Sequence, residues 1–147
     1  MPSWRLHNAI AREIGIPETV ANDVNRIIDI YGIHDGREIP EVFLEDARKS
    51  YEVGGYAGLK AFFLHHVLDR LAQKLRGEAY RQVWDKPARG DEYVLKTTII
   101  DAEDWLRYNL REFEYKSVAE KALSEVLGFV EKNYKRIQTL ITNELEK

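Results

Sequence analysis

The chain has 147 residues, 44% hydrophobic and 32% charged, with a net charge of -3 and no cysteine. That length suits a single domain with its own core, burying roughly 68–70% of the unfolded surface. The acidic balance argues against a protein built to neutralise nucleic-acid phosphates, and the missing cysteines exclude disulfides and thiolate metal sites.

A cytoplasmic location is the simplest expectation. No apolar run approaches the ~20 residues that span a bilayer, and the start Met1-Pro2-Ser3-Trp4-Arg5 lacks the apolar core of a signal peptide. High Glu, Lys and Arg content with one methionine resembles thermophile composition.

The pattern is helical throughout and predicts an all-α, single-domain bundle of about six to seven helices over residues 1–147. Ser3 caps a first helix over 4–14, which Gly15 closes. Pro17 takes the first position of a second helix, where Val20, Val24, Ile27, Ile28 and Tyr31 form one apolar stripe ending at Gly32. Pro40 and Glu41 open a third helix with Phe43, Leu44, Ala47 and Tyr51 inward, and Gly54-Gly55 breaks it. The segment 56–75 is the most apolar, with Phe62, Phe63, Leu64, Val67, Leu68, Leu71 and Leu75 on a broad face, so it belongs at the centre.

A short helix over 77–84 and a loop over 85–91 follow. Residues 92–113 read as a helix despite the β-branched run Thr97-Thr98-Ile99-Ile100, which has no partner strand. Ser117 and Glu120 form a capping box for a long last helix over about 117–146. Its Leu123, Val126, Val130, Asn133, Ile137 and Leu140 recur in a three-four alternation. Such a seam suits packing within the chain or a homodimer through 118–145, and both stay open. Lys132, Lys135 and Arg136 beside Tyr134 form a small basic cluster, the one feature that favours nucleic acid as a partner.

The histidines carry the sharpest clue. All four fall into an order with two aspartates: His7, then His34-Asp35, then His65-His66, then Asp101. Imidazole and carboxylate are the ligands that manganese, iron, cobalt, nickel and zinc prefer. Adjacent residues on a helix face different ways, so only one of His65 and His66 faces the dyad. Gly32 and Gly36 give the His34-Asp35 backbone room to depart from helix. Asp69, four residues after His65, is an alternative partner that would satisfy that imidazole with no metal at all, and Asp69 and Asp104 are rivals to Asp101.

This order of residues in an all-helical chain resembles the HD-domain metal-dependent phosphohydrolases, over an HD-like core of about 3–115. The resemblance implies that His7, His34, Asp35 and Asp101 hold a divalent metal ion, with His65 or His66 on a second ion or a substrate phosphate. It implies hydrolysis of a small phosphorylated substrate, a phosphomonoester or phosphodiester such as a nucleotide, with Asp35 and Arg37 at the reaction centre. A bound ion would lower the pKa of its water from 15.7 toward ~7. Arg37 is the expected phosphate contact, with Arg5, Lys60 and Arg70 as further cations near the histidines. The competing reading is a non-catalytic helical interaction module that uses the C-terminal seam.

Overall fold

The computed structural model describes residues 2–31, 39–87 and 89–145. Among them lie six α-helices and no strand: α1 (Trp4–Glu13), α2 (Glu18–Arg26), α3 (Pro40–Val83), α4 (Gly90–Asp104), α5 (Lys116–Lys132) and α6 (Tyr134–Leu145). The chain is an all-α bundle. No helix of the described residues is long and apolar enough to cross a membrane.

The ends of α1 follow from their residues. The Ser3 hydroxyl accepts from the Leu6 N–H at 3.1 Å, and Gly15 takes a φ of 82° just past the last turn. Pro17 stands one place earlier than expected, as the residue before the first turn of α2. Both α2 and α4 relax into a π-helical turn, Ile27–Tyr31 and Trp105–Asn109 respectively. Widened turns of this kind concentrate at functional sites.

The break at Gly54-Gly55 is real. Gly55 adopts φ 57° and ψ -135° inside α3, a conformation that glycine reaches without strain. The helix folds back on itself there so tightly that a Cβ on Gly58 would stand 1.9 Å from the Ser50 carbonyl oxygen. The expected second break near Gly77 is absent, and α3 runs on to Val83. One glycine costs a helix only about 1 kcal/mol, and the turns on either side carry it through. The Thr97–Ile100 run is helical, as its lack of a partner strand required.

The C-terminal segment departs from the reading in two ways. Its helix begins at Lys116 after Tyr115, so Ser117 lies inside the first turn and makes no cap. It also stops at Asn133, whose backbone N–H and side-chain Nδ2 both bond to the Phe129 carbonyl, at 3.0 and 2.9 Å. A side chain competing for a helical carbonyl ends the helix, and α6 restarts at Tyr134. Leu123, Val126, Val130 and Ile137 of the seam are buried in the chain's own core, while Leu140 projects. Of the basic cluster, Lys135 pairs with Asp91 and Arg136 with Glu13.

The second arm of α3 is the axis of the molecule, and α1, α2, α4, α5 and α6 all pack on α3. Leu59, Phe62, Phe63, Val67, Leu68 and Leu71 are fully enclosed there. Polar residues carried on the same arm are therefore enclosed with them. His65, His66 and Asp69 are buried for that reason.

Candidate metal centre

Three helices deliver the polar centre. The inward stripe of α1 is Leu6, His7, Ile10 and Ala11, so His7 is pulled inside by its apolar neighbours. On α3, His65 and Asp69 are one turn apart and share a face. From α2 and its π-helical turn come Asn25, buried beside Val24, and Asp29.

Asp69 is the hub. Its Oδ1 lies 3.2 Å from His7 Nε2 and its Oδ2 lies 3.3 Å from His65 Nε2. One ligand atom from each of His7, His65 and Asp69 can be chosen so that all three lie within 4.8 Å of one another. The side chains of all three are at most 4% exposed. Asp29 Oδ1 approaches His65 Nε2 from the solvent side at 3.2 Å, and its Oδ2 accepts from the Trp4 indole N–H at 2.6 Å. His65 Nδ1 lies 2.8 Å from Asn25 Oδ1.

The charges are forced by this packing. Burial and the neighbouring His65 lower the pKa of His7, which is neutral. Burial alone would lower His65 too, but its bonds to Asp29 and Asp69 outweigh that and raise it to about 9. Burial pushes both carboxylates up, yet the histidine bonds dominate and hold Asp29 and Asp69 below the ordinary value. At neutral pH the cluster thus holds two carboxylates against one imidazolium.

The donor set fits a divalent cation. Two ligands on a tetrahedral first-row ion lie about 3.3 Å apart, given bonds of about 2.0–2.1 Å. The two imidazole separations at Asp69, one to each carboxylate oxygen, lie near that value at 3.2 and 3.3 Å. The His7–Asp69 approach has this spacing without the direction of a hydrogen bond, so His7 Nδ1, His7 Nε2 and Asp69 Oδ1 are buried and unbonded among the described residues. Buried polar atoms left this way are costly and ask for a partner. A dication with both imidazoles neutral would balance Asp29 and Asp69, which one proton on His65 does not. The rings of His7 and His65 are stacked, 4.1 Å between centroids and 2° from parallel.

The residues singled out from the order of histidines divide. His7 and His65 are brought together. His66, one residue on, points elsewhere, into an aromatic enclosure of Phe43, Phe62 and Trp105 at centroid distances of 4.8, 4.8 and 5.8 Å. Asp101 does not join the convergent group; it pairs with Lys74 at 2.9 Å and stands 3.9 Å from Arg70. His34, Asp35 and Arg37 lie outside the described residues. Lys60 serves the fold, donating to the Ile14 carbonyl at 3.0 Å near Glu125.

Asp69 was legible as an i+4 alternative to a metal and as a rival to Asp101, but its place as hub was not. Asn25 and Asp29 went unnoticed. The available signal for Asn25 was a polar residue set beside the apolar stripe Val24, Ile27, Ile28.

Compared with known proteins, the chain matches no family model, no curated protein and no solved structure.

Proposed function

We propose that the protein is a divalent-metal-dependent phosphohydrolase of HD type, with His7, His65 and Asp69 as ligands of its ion. The observation that carries this reading is that three buried ligand groups, from α1 and α3, bring one ligand atom each within 4.8 Å of one another. In an apolar core such a group is expensive to bury unless it is paired or coordinates a metal.

His65 is held by Asn25, while neither ring nitrogen of His7 makes a hydrogen bond among the described residues, so His7 is the ring able to turn out of the stack toward a shared ion. A cation held here would supply Lewis-acid polarisation of a phosphoryl oxygen and activation of water near neutral pH. His34 and Asp35 complete the ligand set by resemblance, and Asp35 and Arg37 are placed at the reacting phosphate on the same ground.

The substrate class draws support from the neighbouring stripe of α3. Arg70 and Lys74 both approach the single carboxylate of Asp101, and Arg70 lies over the Trp105 ring at 5.8 Å. Arginine and lysine are the side chains that recognise the oxygens of an anionic phosphoester, as a bidentate fork and as a point charge respectively. A chain without cysteine suits a reducing, cytoplasmic setting.

The test is elemental analysis of the purified protein, with a phosphatase screen on a phosphomonoester and a phosphodiester in added Mn2+. Stoichiometric metal that is lost in His65→Ala and Asp69→Asn, with hydrolysis falling in step, is the expected result. A wild-type protein that takes up no divalent ion ends the reading.

A further inference from the structure

Three asparagines link the buried centre to the surface of α1 and α2. Asn8 Nδ2 donates to Asn22 Oδ1 at 2.7 Å, Asn25 Nδ2 donates to Asn8 Oδ1 at 2.9 Å, and Asn25 Oδ1 meets His65 Nδ1 at 2.8 Å. Asn8 and Asn22 are half-buried and Asn25 is buried. Each amide has a donor end and an acceptor end, so the chain has only two self-consistent senses: this one, or all three amides reversed.

The two senses place the ring proton differently. In the sense observed, His65 Nδ1 meets an oxygen and must be an N–H. In the reversed sense it would meet an NH2 group and would have to be bare, with the proton on Nε2. The opposite edge of the ring decides between them. Nε2 faces Asp29 Oδ1 and Asp69 Oδ2 at 3.2 and 3.3 Å. Two carboxylates there favour a full positive charge over a neutral N–H. Only a ring with Nδ1–H can provide that, either as imidazolium or with its Nε2 lone pair on a cation.

We infer that Asn25, oriented through Asn8 by Asn22, is the positioning residue that keeps a proton on His65 Nδ1 and so reserves His65 Nε2 for the cation. This rests on the metal reading of the cluster. Metal-binding histidines are commonly oriented through their other nitrogen, and loss of that partner weakens binding. Here the orienting group is itself oriented, two amides deep, from a half-buried position on α2.

Two measurements on the full chain test the inference. Nitrogen-15 NMR of the metal-free protein reads His65 Nδ1 directly, and it should be protonated in wild type and in Asn25→Asp. Affinities for Mn2+ and Zn2+, each added alone, should fall about 10–100-fold in Asn25→Leu. Asn25→Asp should match or exceed wild type, because a carboxylate accepts from Nδ1–H more strongly than an amide. If Asn25→Leu does not fold, Asn8→Ala answers the same question: it frees Asn25 to reverse, and affinity should drop by less than a direct loss of the acceptor. Unchanged affinity in the folded variant overturns the inference. A bare Nδ1 in wild type that still binds the ion overturns the relay alone. A protonated Nδ1 in wild type that binds neither ion removes the cation's part, and with it the reading underneath.

Discussion

If a metal ion takes the position of the His65 Nε2 proton, its affinity must depend on pH in a calculable way. The flanking carboxylates raise this imidazole to about 9, so at pH 7 about one molecule in a hundred has Nε2 free, a handicap of about 3 kcal/mol. Raising the pH removes the competing proton, and affinity should climb tenfold per pH unit from about 6.5 and level off near 9. His7 adds no slope in that window, since its pKa lies below the ordinary 6.5. Asp29 and Asp69 are ionised throughout. Competition between the protein and a chromophoric chelator for Mn2+ at pH 6.5, 7.5 and 8.5 measures the slope. Calorimetry in buffers of different ionisation enthalpy should count about one proton released per ion. Asp29→Asn removes one carboxylate beside His65 without removing a group from the convergent set, so its plateau should be reached at lower pH. An affinity flat from 6.5 to 8.5 would refute the idea that the ion and the proton share one nitrogen.

The same groups shape stability without metal. His65 is raised when folded, so its contribution is complete below 6.5 and lost as pH rises through about 9; the gap is worth at most about 3 kcal/mol. His7 is lowered, so stability also falls as pH drops below 6.5. Urea unfolding should therefore be hardest near pH 7 and easier at both 5.5 and 10, and a monotonic trend would contradict the charge assignment. Phe63, fully enclosed on the central arm of α3, should cost about 3–5 kcal/mol on truncation to alanine; a loss under 1 kcal/mol by chemical denaturation would mean the arm is not central. In Gly58→Ala the new Cβ would overlap a backbone oxygen, which cannot move aside as a side chain would. A loss of about 3 kcal/mol or more is expected, and a neutral result would refute the close approach of the two arms of α3 at Gly58.

Several features were readable from the residues alone because their causes are local. Ser3 and Gly15 bound α1 through one side-chain oxygen and one backbone conformation. Gly54-Gly55 marked the fold-back, since its φ suits glycine. The continuous apolar face of residues 56–75 required enclosure wherever it lay. Other expectations failed where two local preferences competed and packing chose. Gly77 was a permissible break that the long helix overrode, and Asn133 was a permissible seam residue that turned its side chain onto the Phe129 carbonyl instead.

The polar centre shows the same division more sharply. That buried imidazoles exist at all was set by the sequence, because His65 and His66 sit inside a segment too apolar to face water. Which of them reaches His7 was set by the angle at which α1 and α2 cross α3. Adjacent residues on a helix point about 100° apart, so that crossing sends His65 to the carboxylates and His66 to Phe43, Phe62 and Trp105. Spacing along the chain carries no record of that angle. It arises only when the apolar stripes of separate helices find one another, and the partners of His65 follow from it.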